Sequence, residues 1–342
     1  MSFQHDEGFR FQFTSDLRIH RLLNGMWQVS GAHGSIDRRA AIQTMLAYHG
    51  AGFTTWDLAD HYGPAEDFIG EFRRQLKGAQ GAAALAGVQA FTKWVPQPMR
   101  MTRRMVEEAI GTSLRRMNVE ALDLLQFHWW DYASDQYLAA LDYLAQLQQA
   151  GKIKHLALTN FDAEHLRNII EHGITIVSNQ VQYSLIDRRP EVRMAPLCQE
   201  RQVWLLTYGT VCGGFLSDKY LGQPEPGRWA LDTASLQKYK QMIDAWGGWE
   251  LFQDLLKTLK HIADKHAVSI ANVATRYILD KPRVAGVIIG TRLGLSDHRE
   301  DNTRAFGFQL DAQDLEQIEN VLVRSRDLYR VIGDCGDEYR SR

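Results

Sequence analysis

Cysteine is scarce in this 342-residue chain, and the three present (Cys198, Cys212, Cys335) form no CxxC pair. An odd, widely spaced set excludes a disulfide framework and a thiolate metal site, and reads as reduced thiols in a cytoplasmic setting. Long apolar runs are missing too: the longest, such as Val284 to Ile289, are far too short to span a bilayer. The opening "MSFQHDEGFRFQF" lacks a basic segment followed by an apolar one, so no secretory signal is expected. Positive charge is not in excess: the net charge of -2 argues against a nucleic-acid partner. There is no GxGxxG, no Walker A motif and no HExxH, and the other histidines, His165 and His172 among them, have no metal spacing, so no metal is expected.

What the chain does have is alternation. Eight short apolar runs, at 21–27, 52–57, 87–93, 121–128, 153–160, 174–180, 203–209 and 284–290, are β-branched or aromatic and bounded by polar or glycine residues, as strands are. Amphipathic stretches lie between them. "DRRAAIQTMLAYHGAG" opens on Asp37 and ends on glycine, and "SDQYLAALDYLAQLQQAGK" closes on Gly151, as capped helices do. Strand followed by helix about eight times predicts an α/β fold, a (β/α)8 TIM barrel occupying the chain as one domain, 1–342. A doubly wound open sheet competes, but it usually carries a glycine fingerprint in its first turn. Before the first run, "FRFQFTSDLRIHRL" alternates around Thr14-Ser15-Asp16 and predicts a hairpin plugging the barrel floor. The spacing breaks after the seventh run. Residues 213–248, rich in glycine, proline and aromatics, read as a long loop over the active-site face, followed by helices near 248–265 and 269–280. Extra helices close the chain, and the tail, 327–342, is a candidate to fold over the pocket. Its arginines (Arg324, Arg326, Arg330, Arg340, Arg342) stand among acids and read as solvated.

In such a barrel the chemistry sits at the C-terminal strand ends. Asp57 ends the second run and Tyr62 follows it. Lys93 ends the third in "FTKW", and His128 the fourth in "LLQFHWWD". Thr159 and Asn160 end the fifth, Gln180 the sixth and Tyr208 the seventh. A carboxylate, a phenol, an ammonium and an imidazole thus converge on one mouth.

These motifs resemble the aldo-keto reductase superfamily. "FTTWDLADHYG" is similar to its aspartate-to-tyrosine signature, "FTKW" to its lysine strand and "LLQFHWWD" to its histidine strand. "LTNF", "NQVQYS", "TYG" and "VIIGTR…EDN" are similar to its cofactor contacts, in order, from about residue 22 to about 320. The resemblance implies a hydride-transferring oxidoreductase with NADP(H), acting on a small aldehyde, ketone or sugar. Tyr62 would be the general acid or base, Lys93 would lower its pKa, Asp57 would hold Lys93, and His128 would orient the carbonyl. Gly25, Met26, Thr159, Asn160, Gln180, Tyr208, Gly209 and Thr210 would contact the cofactor. Gly290, Thr291, Arg292, His298, Arg299 and Asn302 would form its phosphate and adenine loop, with Arg292 suited to a ribose 2′-phosphate. Trp27, Trp94, Trp129 and Trp130 adjoin these positions and are expected to wall the substrate pocket; His61 is expected on a loop surface. The sequence departs from the family at Leu58, where a small hydroxyl residue is common, at Thr159, at "YGTVCGG", and in a longer "GTRLGLSDHREDN" loop. Two rival readings remain: a Schiff-base aldolase using Lys93, and a cofactor-binding regulatory subunit with slow turnover.

Overall fold

The structure, a computed structural model, describes residues 8–31 and 36–340; Arg342 lies outside them. Two short strands, β1 (Arg10–Gln12) and β2 (Arg18–His20), pair antiparallel as the expected hairpin. The strand-like runs then form β3 (Leu22–Gly25), β4 (Thr55–Asp57), β5 (Gln89–Trp94), β6 (Leu122–Phe127), β7 (Ile153–Thr159), β8 (Ser178–Gln182), β9 (Trp204–Tyr208) and β10 (Val284–Gly290). All neighbours pair parallel, and β10 closes on β3 to complete an eight-stranded barrel.

The two-residue period of a strand decides what fills the barrel. One layer up from the floor, Leu23, Phe91, Leu124, Ala157, Leu206 and Ile288 point inward and pack on Phe13, Leu17 and Ile19 of the hairpin. Burying each such side chain contributes roughly 1.5–3 kcal/mol. The hairpin therefore seals the floor; the Phe13 ring lies 6.0 Å from that of Phe91. Two residues further along, the same face carries Gly25, Asp57, Lys93, Gln126, Thr159, Tyr208 and Gly290. Register puts Gly25 beside Asp57, Lys93 beside Gln126 and Thr159 beside Gln180. Apolar floor and polar mouth are one alternation read at two heights.

Helices α1 (Arg38–Gly50), α2 (Ala65–Gln80), α3 (Arg103–Met117), α4 (Gln136–Gln149), α5 (Ala163–Glu171) and α6 (Met194–Arg201) follow successive barrel strands. Capping side chains open several of them: Asp37 accepts from the Ala40 amide at 2.7 Å and Asp162 from the His165 amide at 2.7 Å. After β9 the segment expected as loop is half helical. Its end forms α7 (Ala234–Trp246), capped by Thr233, with Tyr239, Met242, Ile243 and Trp246 buried at helical spacing. Then come α8 (Gly248–His266) and α9 (Ile270–Leu279), and, beyond β10, α10 (Arg299–Thr303), α11 (Ala312–Leu322) and α12 (Leu328–Val331). Among the described residues no helix is long and apolar enough to cross a membrane.

Candidate active site

The barrel mouth holds a cleft of about 260 Å³. At its base Lys93 Nζ donates to Asp57 Oδ2 at 2.6 Å and to the Leu58 carbonyl at 3.0 Å, with both charged side chains about 95% buried. The other Asp57 oxygen accepts from Gln126 Nε2 at 2.9 Å and Gln180 Nε2 at 2.7 Å, and Gln180 also donates to Gln126 Oε1. A buried charge is tolerable only when paired and hydrogen-bonded, and this one is saturated. Burial still pulls Lys93 below its ordinary pKa, against the pull of Asp57. The odd Leu58 is accounted for here. Its side chain sits in the outer core, while its backbone carbonyl does the polar work.

The chain returns from β4 to the mouth through hydrogen bonds to β5. The Asp60 amide donates to the Lys93 carbonyl at 2.9 Å, and Asp60 Oδ2 accepts from the Val95 amide at 3.2 Å. This folds Tyr62 back over the mouth, its ring 5.0 Å from Lys93 Nζ and 5.0 Å from the Trp27 ring. The expectation that Lys93 brings the phenol down in pKa is not met. Burial, helped by the negative Asp57, pushes Tyr62 well above its ordinary value, because the Lys93 charge is already compensated by Asp57 at 2.6 Å. The phenol is therefore fully protonated near neutrality.

His128 follows β6, its amide donating to the Trp94 carbonyl at 3.1 Å. Burial and the nearby Arg340 hold the imidazole down to about 3, so it is neutral. Its Nε2 is buried without a hydrogen-bond partner among the described residues. An orphaned polar atom costs about 1–3 kcal/mol and, in a cleft, marks where a ligand atom belongs.

The structure brings Asp57, Tyr62, Lys93 and His128 to this one cleft, together with Gly25, Thr159, Asn160, Gln180, Tyr208, Gly209, Thr210 and Gly290. Gly209 has φ 73, and a side chain there would collide with the Tyr239 phenol. Some groups named for the cofactor are already engaged. The Gln180 amide is committed to Asp57, and the Thr210 hydroxyl to the Tyr183 carbonyl at 3.0 Å. Three predicted contacts are not at the cleft for clear reasons. Met26 is fully buried in the outer core. Thr291 spends both its amide and its hydroxyl on the Gly25 carbonyl, tying β10 to β3. Arg299 is paired with Asp297 and donates to the Ala47 carbonyl. Arg292 and His298 are exposed on the loop that starts at Gly290, and Asn302 is half-buried on α10. None of the four polar loop residues, Arg292, His298, Arg299 or Asn302, lines the cleft.

Of the four tryptophans, Trp27 and Trp130 line the cleft and two do not. Trp94 packs on Phe127 at 5.5 Å. Trp129 is fully buried, its indole donating to the Asp131 and Ser134 carbonyls at 2.7 and 3.1 Å. Lys93 and His128 point inward, so their immediate neighbours point outward toward the helices. His61 is exposed, as expected, and also edges the mouth beside Trp27 and Tyr62. The tail contributes as well. Arg189 pairs with both Asp187 and Glu338 at 2.8 Å, and Arg340 donates to the carbonyls of Trp129 and Asn160 at 2.9 and 2.8 Å. Gly336, at φ 86, sits where any side chain would strike the Asn160 carbonyl. These ties set Tyr339 into the cleft wall, its hydroxyl accepting from that of Tyr208 at 3.0 Å. Gln126, Lys238, Tyr239 and Tyr339 are the site residues not anticipated. Gln126 carried a residue-level signal, two residues before His128 on the same strand face, whereas Lys238, Tyr239 and Tyr339 were signalled only by their segments, 213–248 and 327–342.

A sequence model described as the aldo/keto reductase family matches residues 21–323. Flagellar radial spoke protein 5 of Chlamydomonas reinhardtii is 34% identical over 179 residues, 47% of this chain but only 34% of that protein. The NADH-specific methylglyoxal reductase of Escherichia coli (strain K12) is 22% identical over 331 residues, 91% of this chain and 98% of that one. Among solved structures, the glycerol dehydrogenase of Gluconobacter oxydans has the same fold, with a TM-score of 0.75 at 22% identity over 93% of this chain and 96% of that one.

Proposed function

Because the chain belongs to the aldo/keto reductase family, we propose that it reduces the carbonyl of a small aldehyde, ketone or sugar with NADPH, or runs the reverse reaction on the alcohol. The observation that carries this reading is the pairing of two groups at one mouth: a protonated phenol, Tyr62, and a neutral imidazole, His128, whose Nε2 has no hydrogen-bond partner among the described residues. When bound, the reduced nicotinamide supplies the hydride. His128 Nε2 fits the carbonyl oxygen and orients it. The Tyr62 hydroxyl delivers its proton to that oxygen as it gains negative charge, and the phenolate left behind is reprotonated from solvent. Asp57 holds the Lys93 ammonium 5.0 Å from the Tyr62 ring and fixes the base of the cleft, while burial keeps the phenol in its proton-bearing form. The wall fits a nicotinamide: Asn160 and the Tyr208 ring are amide and aromatic groups suited to its carboxamide and ring face, and Gly209 leaves the backbone bare beside them. The Lys93–Asp57 pair weighs against a Schiff-base role, which needs a free, neutral amine.

The choice of NADPH rests on Arg292. Its side chain is exposed and forms no ion pair among the described residues, whereas Arg299 is occupied by Asp297. A guanidinium fork pairs bidentately with a ribose 2′-phosphate. Steady-state rates on a carbonyl and polyol panel with both cofactors test the proposal. NADPH-linked turnover is expected, with Arg292→Ala raising the KM for NADPH about tenfold or more and sparing NADH. No nicotinamide-linked turnover on any member of the panel overturns it.

A further inference from the structure

We propose that Lys238 is an anion-reading residue of the cleft and that the substrate is a small carbonyl compound carrying a carboxylate or phosphate. This rests on the carbonyl-reductase reading above and narrows it. Lys238 stands on α7 and lines the same cleft as Tyr62 and His128. Its Nζ donates to the Tyr339 hydroxyl and lies 4.3, 5.2 and 5.5 Å from the ring centres of Tyr339, Tyr208 and Tyr239. Among the described residues it forms no ion pair. Two positions along the same helix, Lys240 has two carboxylates, Glu225 and Asp244, each at 2.6 Å. The acid on the tail next to Tyr339, Glu338, is ion-paired with Arg189 at 2.8 Å; it also feels the Lys238 charge, but without pairing to it. Lys238 is thus a half-buried ammonium among aromatic faces, which attract a cation but do not neutralise it. A partly desolvated charge of this kind is completed by an anion, and here the open side is the cleft.

The placement limits the substrate's size. A single side chain, Tyr339, bridges the two ends of the site: its ring lies 6.3 Å from the His128 imidazole and 4.3 Å from Lys238 Nζ. A carbonyl held at His128 and an anionic group held at Lys238 therefore sit a few bonds apart on one small molecule. The same anion chemistry has a second source. Helix α7 packs on the turn after β9, with Tyr239 and Ser235 against Gly209 and Gly213, so a cofactor pyrophosphate is the alternative partner of this ammonium.

Matched aldehydes separate the two. With NADPH saturating, kcat/KM is measured for benzaldehyde and 4-carboxybenzaldehyde on wild type and Lys238→Met, and NADPH affinity by fluorescence titration. The wild type is expected to favour the carboxylated aldehyde by about tenfold to a hundredfold, the range of a charged hydrogen bond. Lys238→Met collapses that ratio toward one with NADPH affinity kept. Lys238→Arg, which keeps the charge, retains a preference of at least about threefold. A wild type without the preference, or a Met variant that retains it, overturns the proposal; so does a loss in Lys238→Met confined to NADPH affinity, which assigns the charge to the pyrophosphate. If neither aldehyde is turned over, it is the reductase reading that fails. Calorimetric titration of benzoate into the NADPH-mixed protein then still decides the subsite: binding lost in Lys238→Met upholds it, and no binding to wild type removes it.

Discussion

In the proposed reaction Tyr62 is the residue on which the chemistry turns, and its environment fixes how activity should respond to pH. Burial raises the phenol well above its ordinary value, so the acid form needed for reduction persists through the neutral range. The base form needed for oxidation becomes available only as pH rises. The imidazole of His128, held near 3, adds no protonation step between pH 5 and 8. Profiles of kcat/KM should therefore be flat for carbonyl reduction between about pH 6 and 9 and should climb with pH for alcohol oxidation. A reduction profile falling steeply through pH 7 contradicts this assignment. At this scale the sequence was largely legible. A carboxylate, ammonium and imidazole at successive strand ends cannot hide, because each interrupts an apolar run. The protonation state was not legible, since it depends on how much of the Lys93 charge Asp57 consumes at 2.6 Å. Nor was the sorting of the tryptophans, which turns on which side of the strand each residue falls.

Among the elements, the tail and α7 carry what strand counting could not supply. Both reach the mouth from distant parts of the chain, and contacts such as Lys238 to Tyr339 join residues 101 apart. Helix α7 is hidden behind a glycine- and proline-rich approach, although its Thr233 cap and buried spacing are regular once the start is known. The tail is secured by a fully buried guanidinium, Arg189, shared between Asp187 and Glu338. Arg189→Ala leaves two buried carboxylates without their counterion and is expected to cost about 3–5 kcal/mol of unfolding free energy in urea titration. A loss under about 1 kcal/mol contradicts the view that this cluster anchors the tail. The hairpin, by contrast, was visible in advance: its alternation around Thr14-Ser15-Asp16 leaves Phe13 and Leu17 as the apolar groups able to plug a barrel.

Over the whole molecule, one alternation builds a dry floor and a charged mouth, and both bury histidine in its neutral form. His20, in the hairpin, is lowered to about 4 and His128 to about 3, mainly by burial. Unfolded, each would take a proton below about 6.5, so the unfolded state binds more protons and stability falls as pH drops from about 6.5 toward 4. His20 alone should account for on the order of 3 kcal/mol by pH 4, read as a smaller acid-side loss of unfolding free energy in His20→Gln than in wild type. The barrel itself was readable because eight apolar runs leave few other closed arrangements; the cleft was readable only in part, because half of its wall comes from segments with no strand signature. The central claim is that Tyr62 donates the proton that completes hydride transfer. Rapid-mixing single-turnover oxidation of NADPH by the preferred carbonyl substrate, in wild type and Tyr62→Phe, tests it most directly. The transfer rate is expected to fall about 10²–10⁴-fold in Tyr62→Phe with NADPH affinity retained; an unchanged rate would rule out Tyr62 as the proton donor.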